Sequence, residues 1–133
     1  MSLLERVIEH EGFEPKPYPD PLSGAEPYTF GHGLTYISEF ESTWIVTRRL
    51  KQHRKSLMEL HPWLSQQPEK LIDVVVEMSF QMGVVGVNKF RKMWGAIQRN
   101  DYQTAAAEML DSRWANQTPN RAKTLATIVS GLQ

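Results

Sequence analysis

The chain has 133 residues, of which 41% are hydrophobic and 23% charged, a length and composition that fit one folded domain and exclude a disordered polymer. Lys plus Arg and Asp plus Glu both number 15, and this balance excludes a general electrostatic attraction to nucleic acid. Cysteine is absent, which excludes disulfides and thiolate metal sites, and no apolar run reaches the roughly 18 residues of a membrane span.

The first predicted element is a helix that ends at Gly12. Ser2 and Glu5 form a capping-box pattern at its start, and glycine is typical just after a helix end. Four residues fall on one face of this helix: Leu4, Val7, Ile8 and Glu11. We therefore expect Glu11 on the buried face of the last turn.

The segment from about residue 13 to residue 35 has a different pattern. Prolines and glycines punctuate it at Pro15, Pro17, Pro19, Pro21, Gly24, Pro27, Gly31 and Gly33. Proline and glycine at this density exclude a helix, because proline lacks a donor and glycine weakens helices. The segment is predicted to form short strands joined by tight turns.

The rest of the chain is predicted to be helical. One helix begins at Ser42 or Thr43 and stops before Pro62, and the next begins at Pro68 and ends at Gly83. Three shorter helices follow, at about 87–99, at 102–110 and after a start signal at 118–119.

These elements predict the α+β class. We expect one domain, 1–133, which pinches into two lobes around a cleft. The small amino-terminal lobe, about 1–60 with the connecting helix, holds a short antiparallel sheet, and residues 61–133 form a helical lobe.

Two carboxylates in the amino-terminal part suit acid and base chemistry. Cleavage of a glycosidic bond needs a carboxylic acid that protonates the leaving oxygen and a carboxylate that stays ionised. Glu11 continues an apolar face, where desolvation favours the protonated form, whereas Asp20 lies between Pro19 and Pro21 in an open loop. The same residues are also typical of a solvated helix end and an ordinary turn, so spacing leaves both interpretations open.

Several motifs carry a family resemblance. In the amino-terminal part they are Glu11-Gly12-Phe13, Tyr18-Pro19-Asp20 and Tyr28-Thr29-Phe30-Gly31. In the carboxy-terminal half they are Phe80-Gln81-Met82-Gly83 and the longer stretch Ser112-Arg113-Trp114-Ala115-Asn116-Gln117-Thr118-Pro119-Asn120-Arg121-Ala122-Lys123. Together they resemble phage-type lysozymes of glycoside hydrolase family 24, and mainly the stretch from residue 36 to about 71 is unmatched.

The resemblance implies a lysozyme-like fold and assigns roles to particular residues. Glu11 corresponds to the general acid, Asp20 to the second carboxylate, and Thr29 to the hydroxyl that helps hold the attacking water. Arg121 matches the position that pairs with the acid. The family inverts configuration, which requires the two carboxyl groups to stand far enough apart to admit a water.

Substrate contacts are implied at Phe80, Gln81 and Leu34. The family commonly reads T-x-G-x-G-H in the segment that begins at Thr29, whereas this chain places its histidine, His32, two positions early. We therefore expect His32 to be a turn residue rather than a catalytic one.

The predicted function is that of a muramidase, which cleaves the β-1,4 bond between N-acetylmuramic acid and N-acetylglucosamine in bacterial peptidoglycan. We expect a monomer with no metal or organic cofactor, no nucleic-acid partner and no membrane insertion. It would be made in the host bacterial cytoplasm and released to the wall by a separate holin, or be carried in a phage particle.

Two alternatives stay open. In one, the chain is a lysozyme-like module of a phage particle that binds peptidoglycan without cutting it. In the other, Glu11 acts as both acid and base while a hydroxyl of the sugar attacks, which leaves Asp20 idle and gives an anhydro product.

Overall fold

Residues 1–133 are described by a computed structural model, which is mostly helical with one two-stranded antiparallel sheet. The predicted α+β class is confirmed. The chain divides into two compact units, Met1–Ile45, here called the amino-terminal unit, and Val46–Gln133, called the helical unit. No helix combines the length and apolar character that crossing a bilayer would require.

The first helix, α1, spans Leu3–Glu11 and has the predicted ends. The Ser2 hydroxyl accepts from the Glu5 N–H at 3.1 Å, the Glu5 carboxylate accepts from the Ser2 N–H, and Gly12 ends the helix at φ +69°. The expectation of a buried face is wrong, because no residue of α1 is buried and Leu4 is 67% exposed. The pattern gives the helix an apolar side, but the amino-terminal unit offers no packed core to cover it.

The sheet consists of β1, Glu14–Tyr18, and β2, Thr29–Gly31. Glu14 pairs with Gly31 and Tyr18 with Thr29, so four steps along β1 match two along β2. Two prolines inside β1 explain this irregularity, because proline cannot donate to the ladder. The strands and turns predicted for this segment are confirmed.

Helix α2 spans Glu39–Leu60 and crosses the boundary between the two units. It starts earlier than predicted, because the Ser38 hydroxyl accepts from the Glu41 N–H at 3.1 Å and the Glu41 carboxylate accepts from the Ser38 N–H at 3.0 Å. The hydrogen bond from the Ser38 N–H is the largest cause that lowers the pKa of the Glu41 carboxyl group. A second capping box therefore sets the start, while the predicted stop before Pro62 is confirmed.

The helical unit continues with a 3-10 turn at Pro62–Gln66 and six helices. The helices are α3 Glu69–Met82, α4 Val84–Asn88, α5 Arg91–Gln98, α6 Tyr102–Leu110, α7 Arg113–Gln117 and α8 Pro119–Ser130. The bounds predicted for α3, α6 and the start of α8 are confirmed. The helix predicted at 87–99 is instead two, and α7, which the Ser112 side chain caps, was not predicted.

Every buried residue lies in the helical unit. The largest side chains with under 2% exposure include Leu57, Leu71, Met78, Met93, Ile97 and Met109. Removing such a side chain from water stabilises the fold by about 1.5–3 kcal/mol each. The methionines Met78, Met93 and Met109 are therefore core residues, whereas Leu110, at the end of α6, is 45% exposed.

Candidate functional site

Glu11 is the last residue of α1, and its carboxyl group lies against the backbone of Gly33. A Cβ built on Gly33 would lie 2.6 Å from Glu11 Cδ and 2.9 Å from Glu11 Cγ. The Glu11 side chain is exposed, so the expectation that it is buried is wrong. Glu11 ends α1 beside the turn that follows β2, and this turn sets its surroundings.

Asp20 lies in the turn that follows β1, and the turn holds its side chain. The Leu22 N–H donates to Asp20 Oδ1 at 3.0 Å, and the Ser23 hydroxyl donates to Asp20 Oδ2 at 3.3 Å. The Asp20 backbone closes the same turn, because its carbonyl accepts from the Gly24 N–H at 2.7 Å and its N–H donates to Ala25 O at 2.8 Å. Asp20 is partly buried rather than in an open loop, and both of its carboxylate oxygens accept hydrogen bonds.

Thr29 begins β2 opposite Tyr18, two residues before Asp20. The other end of β2, Gly31, pairs with Glu14, three residues after Glu11. The two ends of β2 are about 7 Å apart, at the usual rise of a strand. The sheet therefore brings Thr29 close to the Asp20 turn at one end of β2. At the other end of β2 lies the segment that follows Glu11.

The turn after β2 contains His32 and leads to Leu34. Phe30 and Leu34 exchange two backbone hydrogen bonds of 2.8 and 2.9 Å, which close this turn. His32 Nδ1 donates to the carbonyl oxygen of Gly12 at 2.6 Å, and its ring lies 5.2 Å from that of Phe13. His32 thus has a structural contact, and Leu34 is 45% exposed beside it.

In the helical unit, Phe80 and Gln81 lie at the end of α3 and are both exposed. The Trp114 indole N–H donates to Gln81 Oε1 at 2.9 Å, which fixes the orientation of the amide. The Phe80 ring lies 6.0 Å from that of His53, edge to face. His53 Nδ1 is buried and has no hydrogen-bond partner.

A pocket of about 410 Å³ opens on the same unit. It is lined by Lys89, Phe90, Arg91, Lys92, Met93, Glu108, Asp111 and Ser112. The Phe90 ring lies 6.2 Å from that of Trp114, the residue that holds Gln81. The sequence did not predict this contact between Phe90 and Trp114. Trp114 lies in the long motif at 112–123, but Phe90 lies outside it and is distant in the chain.

Arg121 pairs with Glu77 across α8 and α3, with Nε donating to the Glu77 carboxylate at 2.8 Å. Both side chains are about half exposed. The pairing of Arg121 with Glu11 stays a prediction. No group of three or more His, Asp or Glu side chains is placed to hold a metal ion.

Comparison with known protein families gives a match over most of the chain. The family profile described as Phage lysozyme matches residues 8–130. This range includes all seven residues for which site roles are predicted and most of each unit of the structure.

Three curated proteins are similar to the chain over shorter stretches. Probable T4-type lysozyme 1 of Dictyostelium discoideum is 32% identical over 97 residues, which are 70% of this chain and 56% of that protein. Probable T4-type lysozyme 2 of the same organism is 35% identical over 54 residues, 41% of this chain and 32% of that protein. The pre-baseplate central spike protein Gp5 of Enterobacteria phage T4 is 42% identical over 52 residues, 39% of this chain and 9% of that protein. The matched stretches thus span about half or less of each relative's length.

Proposed function

We propose, from the premise that this chain belongs to the phage lysozyme family, that it hydrolyses the β-1,4 bond between N-acetylmuramic acid and N-acetylglucosamine in peptidoglycan. Glu11 is the general acid, and Asp20 with Thr29 prepares the water. The observation that carries the proposal is the placement of these residues around one small sheet. The Glu11 carboxyl group lies against the turn that follows β2, and Thr29 begins β2 beside the Asp20 turn.

The reaction is a single displacement. Glu11 donates its proton to the bridging oxygen as the bond from that oxygen to the anomeric carbon breaks. A water held by Asp20 and the Thr29 hydroxyl attacks the same carbon from the opposite face and gives its proton to Asp20. The products are a new reducing end and a free hydroxyl, with the anomeric configuration inverted.

The hydrogen bonds at Asp20 support its role as a fixed base. Two donors, the Leu22 N–H and the Ser23 hydroxyl, orient the carboxylate before substrate arrives. A group that is already oriented loses little entropy when it engages a water. The strand register adds Thr29 next to this turn, so the base and the second water ligand have a common support.

Substrate binding is proposed at Leu34 in the amino-terminal unit and at Phe80 and Gln81 in the helical unit. The Gln81 amide is held by Trp114, which leaves its amide nitrogen available to a sugar acetamido or hydroxyl oxygen. The pocket beside Phe90 carries basic residues and the carboxylates of Glu108 and Asp111. Such a mixed lining suits sugar hydroxyls together with the muramic carboxylate.

We propose two routes by which the enzyme could reach the cell wall. As a monomer made in the bacterial cytoplasm, it would reach the wall through a separate holin. The similarity to a protein named as a phage spike component supports the second route, in which the domain acts within a phage particle. No metal or organic cofactor takes part in the proposed reaction.

The test is digestion of purified peptidoglycan by the wild type and Asp20→Asn, with Asp73→Asn, an exposed aspartate of the helical unit, as the matched control. We expect the wild type and Asp73→Asn to clear the suspension, and Asp20→Asn to lose about a hundredfold or more in rate. Proton NMR of early products should show the α-anomer at the new reducing end, because inversion of a β bond gives it first.

Two outcomes would contradict the proposal. Binding of the wall without clearance by the wild type would favour a module that only binds peptidoglycan. Anhydro products, with an Asp20→Asn rate near that of the wild type, would favour the mechanism in which a hydroxyl of the sugar attacks.

A further inference from the structure

We propose that the turn Gly31–Leu34 positions the Glu11 carboxyl group, with Gly33 providing the space for it and His32 the tether. The proposal rests on the function assigned above to Glu11. The turn is closed by the paired backbone hydrogen bonds of Phe30 and Leu34. Its two central residues, His32 and Gly33, meet the consecutive residues Gly12 and Glu11 at the end of α1.

The first contact depends on the missing side chain of Gly33. A Cβ on this residue would lie within 2.6 Å of Glu11 Cδ and 2.9 Å of Glu11 Cγ, and closest of all to Oε2. Real Cβ atoms essentially never approach a heavy atom closer than 3.0 Å. Any side chain at position 33 would therefore displace the Glu11 carboxyl group from its place.

The second contact holds the turn against α1. His32 Nδ1 lies 2.6 Å from Gly12 O, and because a carbonyl oxygen can only accept, this nitrogen is the donor. Gly12 directly follows Glu11, and His32 directly precedes Gly33. The hydrogen bond between His32 and Gly12 therefore keeps their chain neighbours, Gly33 and Glu11, next to each other.

A general acid must reach the bridging oxygen within hydrogen-bond distance, and displacement by about 1 Å costs roughly a hundredfold in rate. We therefore expect Gly33→Ala to lower kcat by about that factor. KM should change less than kcat, because Phe80 and Gln81 are untouched and only one proposed substrate contact, Leu34, adjoins the changed residue. His32→Ala should give a smaller loss of kcat, and His32→Asn should restore most of it, because an asparagine amide N–H can take the place of Nδ1–H.

A measurement of the Glu11 side chain itself separates this inference from the proposed function. Gly33 has φ +73°, which strains any other residue, so Gly33→Ala should lower Tm through strain, while the exposed Glu11 side chain moves away from the new Cβ. Gly24 has φ +69° and nothing within 4 Å of its Cβ position, so Gly24→Ala supplies the strain alone. We expect similar Tm losses for the two variants, whereas the carbon-13 NMR shift of the Glu11 carboxyl group should change in Gly33→Ala and stay as in the wild type in Gly24→Ala.

This measurement needs no activity, so it tests the contact even if the wild type proves to be inactive. A Glu11 carboxyl shift in Gly33→Ala that equals that of the wild type would overturn the space-providing role of Gly33. If Gly33→Ala does not fold, the histidine pair decides: equal kcat values for His32→Ala and His32→Asn would overturn the proposal, and recovery by asparagine alone would support it.

Discussion

The two units of this chain are built differently. The amino-terminal unit, which contains Glu11, Asp20 and Thr29, has no buried residue, whereas the helical unit contains every buried side chain of the molecule. In the first unit, hydrogen bonds hold the turns, the helix caps and the side chains of Asp20 and His32. In the second unit, apolar side chains pack into a core. The difference indicates that the proposed chemistry depends on local turn geometry, and that global stability depends on the helical core.

The largest expected effect is on the free energy of unfolding, when the same substitution, Leu→Ala, is made in each of the two units. Leu71 is fully buried and Leu4 is 67% exposed. Leu71→Ala should lower the free energy of unfolding by about 2–5 kcal/mol, and Leu4→Ala by about 0.5 kcal/mol or less. Urea denaturation measures both, and similar losses would contradict the contrast between the units.

A smaller effect tests the hydrogen bond between buried Trp114 and exposed Gln81 in the helical unit. Trp114→Phe removes the indole N–H that donates to Gln81 Oε1. We expect the loss of this hydrogen bond to lower the free energy of unfolding by about 1 kcal/mol, in addition to any change in packing. The double-mutant cycle with Gln81→Met isolates the bond, because packing changes at Trp114 recur in both backgrounds. Additive losses in Tm would mean that the bond contributes nothing to folding.

An acid-dependent effect is expected at the start of α6. The Asp101 side chain accepts from the Thr104 N–H at 3.1 Å, and hydrogen bonding to Thr104 lowers the pKa of Asp101. A lowered pKa in the folded state means that the stabilisation is complete above the ordinary pKa and is lost as the pH falls through the folded value.

Asp101→Asn keeps a capping side chain but does not titrate, so the wild type should lose more Tm than this variant below about pH 4. Thermal scans at falling pH measure the difference between the two proteins. Parallel Tm curves at all pH values would contradict the role of Asp101.

The smallest expected effect concerns Arg121 and Glu77. Their ion pair is about half exposed, and such pairs contribute about 1 kcal/mol or less because solvent screens them. Glu77→Gln should therefore shift Tm by only a few degrees. A loss comparable to that of Leu71→Ala would mean that this pair is part of the core of the helical unit.

Much of the fold could be predicted because its signals are local. Pro68 and Gly83 bracket α3, and Ser2 with Glu5 starts α1, as their sequence patterns predict. The capping box of Ser38 and Glu41 is an equally local signal, but the predicted start of α2 at Ser42 or Thr43 did not use it. Local patterns therefore set helix ends, and the error at α2 came from choosing the wrong capping residue.

The candidate site was only partly predictable, because its contacts are distant in sequence. The resemblance supplied Glu11, Asp20 and Thr29, but nothing in their spacing indicates that Gly33 faces Glu11, or that Gln81 receives the Trp114 N–H. The exposure of Glu11 was missed for a related reason. An apolar face predicts burial only where another layer covers it, and periodicity does not report on that layer.

The most direct test of the account measures the peptidoglycan hydrolysis rate and Tm of Glu11→Gln beside those of Glu9→Gln, an exposed glutamate on the same helix. We predict a rate loss of at least about a hundredfold for Glu11→Gln, a wild-type rate for Glu9→Gln, and little change in Tm for either. A Glu11→Gln protein that is fully folded and hydrolyses peptidoglycan at the wild-type rate would contradict the account.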